Sequence, residues 1–146
     1  MKILVINGPN LNLLGKRDKS HYGELTLNDI EILIKNEFKE DKFEFFQSNL
    51  EGEIINQIQN ADKYFEGIIL NPGGYSHTSV AIRDALEQCK LPKIEVHLSN
   101  IASREDFRKN SITAPKTDGY LSGFHELSYI GGVFLLKRIY NERKSL

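Results

Sequence analysis

Along the chain, short continuous apolar runs alternate with stretches in which apolar residues recur every three or four positions. Ile3-Leu4-Val5-Ile6 is the first run, ended by Asn7-Gly8-Pro9, and reads as a buried strand. Leu27, Ile30, Leu33, Ile34 and Phe38 then follow helical spacing, with Thr26 as a candidate N-cap and acidic Asp29 in the first turn. Phe43 to Phe46 predicts a second strand, and Ile54, Ile55 and Ile58 a second helix. Gly67 to Asn71 is a third strand, stopped by Pro72-Gly73-Gly74; Thr78 or Ser79 can cap a third helix carrying Val80, Ile82, Ala85 and Leu86. Ile94, Val96 and Leu98 mark a fourth strand, Gly119 to Gly123 a short fifth. Ile130, Val133, Phe134, Leu136 and Ile139 form a last helical stripe in spite of Gly131-Gly132.

Strand–helix alternation of this kind predicts an α/β protein with a parallel sheet and helices on both faces. Five strands fit a flavodoxin-like, doubly wound sheet of order 2-1-3-4-5. No linker or internal repeat divides the chain, so residues 1–146 are expected to form one domain. In such sheets the ligand lies beyond the carboxyl ends of the strands, near the switch between strands 1 and 3. Asn7, Asn71, and the pair His97 and Ser99 should therefore meet along one edge.

Composition narrows the class. Lys and Arg number 19 against 20 Asp and Glu, a net charge of −1, which leaves no basic excess for a nucleic acid. A single cysteine, Cys89, rules out an internal disulfide framework and a four-cysteine zinc site, and fits a reducing compartment. The apolar run at the amino end is far too short for a signal peptide or a membrane span, so a cytoplasmic protein without membrane or nucleic-acid partners is expected.

The segment 8–24 is long for a strand-to-helix connection, whose usual length is about 2–6 residues, and excess length at that end of a strand favours a lid. Within it, Arg17 and Tyr22 stand out. A free tyrosine is a poor base at neutral pH, and a nearby guanidinium favours its phenolate. Equally, Tyr22 could pack its ring while Arg17 stays solvated. Glu95 and His97, two apart in a strand, face the same way. A carboxylate fixes the tautomer of a neighbouring imidazole and favours its protonated form, as acid–base work requires, although an exposed pair on an alternating strand has the same pattern.

Other chemistries lack their residues. Six residues rather than four separate Gly8 from Gly15, and Arg17 follows Lys16, so the phosphate-loop pattern is not met. His21, His77, His97 and His125 are scattered, without metal-ligand spacing. Gly74-Tyr75-Ser76-His77-Thr78 lacks the second glycine of a nucleophile elbow. Lys93 sits at the opening end of its strand, away from the expected site, and Cys89 reads as core.

Asn7-Gly8-Pro9-Asn10-Leu11-Asn12-Leu13-Leu14-Gly15, with Arg17 and Tyr22-Gly23, resembles type II 3-dehydroquinate dehydratase. Further blocks keep that family's order: Phe45-Phe46-Gln47-Ser48-Asn49 with Glu51-Gly52-Glu53, then Asn71 to Ser79 with Ala81-Ile82-Arg83-Asp84-Ala85, then Glu95 to Asn100 with Arg104-Glu105 and Phe107-Arg108. After Pro115 the match thins.

The resemblance implies a flavodoxin-like enzyme of the shikimate pathway that removes water from 3-dehydroquinate through an enolate, without metal or organic cofactor. It implies Tyr22 as base, favoured by Arg17; Asn10 holding a water against the enolate oxygen; and His97, oriented by Glu95, as the acid. Asn71, His77 and Arg108 would bind substrate hydroxyls, and Leu98 and Ser99 its carboxylate. Asp84 would serve a neighbour's site in a dodecamer built as a tetramer of trimers. The alternative is a catalytically silent flavodoxin-like module that binds a small molecule.

Overall fold

The computed structural model describes residues 1–146. Strands β1 (Lys2–Asn7), β2 (Lys42–Gln47), β3 (Gly67–Asn71), β4 (Lys93–His97) and β5 (Gly119–Ser122) form one sheet in the order β2-β1-β3-β4-β5. Every neighbouring pair is parallel, and β1 pairs Asn7 with both Gln47 and Asn71, which aligns the strand ends. The helices are α1 (Lys19–Tyr22), α2 (Leu27–Glu37), α3 (Glu51–Asn60), α4 (Val80–Gln88) and α5 (Leu127–Lys144). The expected doubly wound topology is the observed one.

Period-two alternation divides the core between the faces. Ile3, Val5, Ile69, Ile94 and Val96 pack with Ile30 and Ile34 of α2 and with Tyr129, Val133 and Leu136 of α5. Leu4, Ile6, Ile68 and Leu70 pack with Ile54 and Ile58 of α3 and with Ile82 and Leu86 of α4. Thr26 caps α2 in a capping box with Asp29, and the Ser79 hydroxyl accepts from the Ile82 amide to start α4.

Two expectations are corrected. Phe134, placed in the last stripe, is exposed; Tyr129, one turn back on the opposite flank, is fully buried in its stead. Val80 is also exposed, because it is the first residue of α4 and precedes the turn that meets the sheet. The helix α5 begins at Leu127, and its paired glycines have a packing reason. A Cβ on Gly132 would stand 2.9 Å from Val96 Cγ1, so glycine lets α5 lie close on β4.

Candidate active site

The loops that follow β1, β3 and β4 converge at the carboxyl edge and line a small, mostly polar cleft. Gly8 brings the first two together: a Cβ there would lie 2.5 Å from the Pro72 carbonyl oxygen, so only glycine permits the crossing. Asn10 then turns the chain with φ of 68°, a left-handed conformation that asparagine tolerates. Its amide donates to Asn49 Oδ1 at 3.0 Å, which ties the loop to the end of β2.

Tyr22 ends α1 and projects its ring into the cleft. Its phenol oxygen accepts from Arg17 Nη2 at 2.7 Å and from Arg104 Nη1 at 2.8 Å. The Arg17 guanidinium carbon also lies 3.7 Å from the ring centroid. Arg17 is therefore engaged rather than left to solvent, while the Tyr22 ring also packs against the core. Two donated hydrogen bonds occupy the acceptor positions of a neutral phenol; a phenolate keeps a further lone pair with which to take a proton.

Glu95 and His97 are not the exposed pair an alternating strand allows. Both are buried, at 0% and 5% exposure, and His97 Nε2 donates to Glu95 Oε2 at 2.7 Å. Burial follows from the segment after β4, whose Ser111 and Thr113 cover this face of the strand and donate to the same carboxylate. His97 faces His77 with ring centroids 6.4 Å apart. His77 Nδ1 donates to the Asn110 carbonyl at 3.0 Å, leaving Nε2 to meet a ligand.

Asn71 forms the floor. Its Nδ2 donates to the Tyr129 hydroxyl at 2.9 Å, which donates in turn to Asn7 Oδ1 at 2.5 Å, while Asn71 Oδ1 accepts from the Gly73 amide at 3.1 Å. Tyr129 thus reaches from α5 along its own face of the sheet to set two strand-end amides. Burial pushes its ionisation far above the ordinary tyrosine range, so it remains a donor.

Asn10, Arg17, Tyr22, Asn71, His77, His97, Leu98, Ser99 and Arg108 all line the cleft, and Glu95 stands behind His97. Arg108 Nε donates to Glu105 at 2.5 Å, which orients its guanidinium. Asp84 does not line the cleft: it is exposed on α4. Arg104, quoted within a sequence block but given no role, is the main omission. It bridges Tyr22 and Ser99 Oγ (3.2 Å), and its buried Nε has no hydrogen-bond partner. Only its spacing of four from Arg108 hinted at a shared orientation.

A doubly wound α/β fold whose switch-point cleft holds a tyrosine between two arginines and a histidine on a buried carboxylate has the layout of an enzyme acting on small molecules. Residues 1–137 match the family model described as dehydroquinase class II, and the chain belongs to that family. It is 52% identical over 147 residues to the 3-dehydroquinate dehydratase of Fusobacterium nucleatum, covering 97% of this chain and 100% of that one. The Thermotoga neapolitana 3-dehydroquinate dehydratase is 48% identical over 144 residues, 97% of this chain and 98% of that one. The crystal structure of type II dehydroquinase from Butyrivibrio crossotus superposes with a TM-score of 0.91 at 45% identity, covering 94% of this chain and 97% of that one.

Proposed function

We infer that the cleft dehydrates 3-dehydroquinate to 3-dehydroshikimate, a step of the shikimate pathway, and that the residues divide the work as follows. The family and its full-length relatives support the reaction. The observation that carries the assignment of roles is the pair of arginines converging on Tyr22 across the cleft from a histidine backed by a buried carboxylate.

The substrate hydroxyl lies β to a ketone, so loss of an α proton as an enolate prepares its departure. Tyr22, as phenolate held by Arg17 and Arg104, takes that proton. Asn10 holds a water against the developing enolate oxygen. Re-formation of the ketone expels the hydroxyl, which His97 protonates, since hydroxide is a poor leaving group. Asn71, His77 and Arg108 bind the ring hydroxyls; Leu98 and Ser99 receive the carboxylate. This route needs no metal or organic cofactor.

Residues 1–146 act as one catalytic domain, with segment 8–24 as its lid. Asp84 completes a neighbouring subunit's site in a dodecamer built as a tetramer of trimers. No helix is long and apolar enough to cross a membrane, in keeping with a cytoplasmic location. Mixing with 3-dehydroquinate should raise the ultraviolet absorbance of a conjugated enone in the parent protein, with that signal lost in His97→Ala. An absorbance that stays flat for the parent favours the silent binding module.

A further inference from the structure

Glu95 is wholly buried, and every contact of its carboxylate is a donor. Oε1 accepts from the Thr113 hydroxyl, itself fully buried. Oε2 accepts from His97 Nε2 and lies 3.2 Å from Ser76 Oγ and 3.1 Å from Ser111 Oγ. Those two serine oxygens are 2.7 Å apart, so one hydroxyl donates to the other. The Ala114 amide already donates to Ser111 Oγ at 3.1 Å. Whichever serine donates to its partner, one hydroxyl proton reaches Oε2. The carboxylate therefore meets two hydroxyl protons and one imidazole N–H, and each oxygen is held from a fixed direction.

The three hydroxyls come from two separate segments, the turn Gly73–His77 and the stretch 111–113 after β4. We propose that Thr113, with Ser76 and Ser111, is a positioning residue that keeps Glu95 in an acceptor-only role and so assigns Nδ1 of His97 as the atom that gives its proton to the departing hydroxyl. An ionised carboxylate, which only accepts, matches the hydroxyls and the imidazole N–H that converge on it. Nε2 keeps its N–H toward Glu95 whether His97 is charged or neutral. Only Nδ1 is left to exchange a proton with the cleft.

The inference rests on the proposed dehydration. In the step itself the Nδ1–H bond breaks and an O–H bond forms. The enolate oxygen's pair restores the ketone C=O, the enolate C=C pair becomes the new C=C bond, and the C–O bond pair leaves with the oxygen, which departs as water. His97 ends neutral, with its proton on Nε2, and Glu95 gains nothing.

Thr113→Val keeps shape and removes the hydroxyl; Thr113→Ser keeps the hydroxyl. Misplacing a catalytic group by about 1 Å can cost on the order of 10²-fold, so Thr113→Val should lower kcat by at least about tenfold with KM within about twofold, and Thr113→Ser should restore kcat to within about threefold. Nitrogen-15 spectra of labelled histidine in the parent should place the proton of neutral His97 on Nε2, and Thr113→Val should mix the tautomers. Equal kcat in the Val and Ser variants, or a parent tautomer protonated on Nδ1, overturns the proposal. If Thr113→Val does not fold, the double variant Ser76→Ala/Ser111→Ala is judged by the same thresholds. His97→Ala separates the two levels: if it stays active, the reading of the reaction fails; if it is dead while Thr113→Val is normal, the hydroxyl clamp alone fails.

Discussion

Arg104 lies 82 residues beyond Tyr22 in the chain, yet its Nη1 donates to the Tyr22 phenol oxygen at 2.8 Å. It also reaches Ser99, so one guanidinium joins the proposed base to the site proposed for the substrate carboxylate. A carboxylate bound at Ser99 would therefore sit beside the guanidinium that donates to Tyr22.

Loss of the base should be severe. Tyr22→Phe removes the proton acceptor and should cost at least ~10²-fold in kcat, the lower end of general acid–base effects. Arg17→Ala and Arg104→Ala should each cripple turnover by removing one donor from the phenol oxygen. Arg104→Lys should recover only part, because an ammonium cannot span Tyr22 and Ser99 as a planar fork does. Steady-state kinetics on the four variants would sink the role of Tyr22 if Tyr22→Phe turned over normally.

Tyr129→Phe removes one oxygen and strands two buried amides, Asn7 Oδ1 and Asn71 Nδ2. An unsatisfied buried group costs about 1–3 kcal/mol, so urea unfolding should show a loss of at least that size. Asn71 should also lose its fixed orientation, raising KM for the substrate. Unchanged stability together with unchanged KM would show that the three-residue chain holds nothing in place.

Strands β1 and β3 were legible because each holds a short apolar run bounded by turn residues; β3 occupies the span Gly67–Asn71 read from the pattern. Helix α1 was not. Four polar residues carry no period, and its start depends on a local contact, the Ser20 amide donating to Asp18 at 2.8 Å. Arg104, Ser76, Ser111 and Thr113 were missed for a different reason. They sit singly on turns and loops, where only the folded path brings them to Tyr22 or Glu95. Tyr129 was hidden by the glycines beside it, which blurred the apolar stripe of α5. The Glu95–His97 pair was visible because period two puts both on one face, but its burial depends on chain that arrives later.

The segment 8–24 should move. Between Lys16 and Tyr22 it is polar and mostly exposed, and α1 is held by Asp18 and by the contact of Arg17 with Tyr22. An anionic substrate that engages Arg17 should order it further. Trypsin is therefore expected to cut after Lys16, Arg17 or Lys19 faster in the empty protein than with a saturating substrate analogue. Identical cleavage rates would argue against a lid.

No lysine lines the cleft. Lys93 is the buried one, and burial lowers its basicity, but its Nζ donates to the Cys89 and Leu91 carbonyls at the far end of β4. A ketone bound at the carboxyl edge cannot meet that amine. Borohydride added with substrate should leave activity intact, and mass spectrometry should find no reduced lysine adduct; a trapped adduct would replace the enolate route with an imine one.

Asp84 is exposed on α4 and absent from the lining of the cleft, so a role for it in binding requires another subunit to bring a cleft to it. Closed symmetric assembly supplies such a neighbour for every copy. Twelve chains of 16.7 kDa make a particle of about 200 kDa, which light scattering separates readily from a monomer. Asp84→Asn should impair turnover without altering the melting of the isolated subunit, since an exposed helix position carries little stability. Mixed with inactive Tyr22→Phe chains after verified subunit exchange, it should regain activity. A mixed boundary can pair an intact Tyr22 from one chain with an intact Asp84 from the other. Full activity in a monomer at assay concentration, or no recovery in the mixture, would return Asp84 to the solvated face of its own helix.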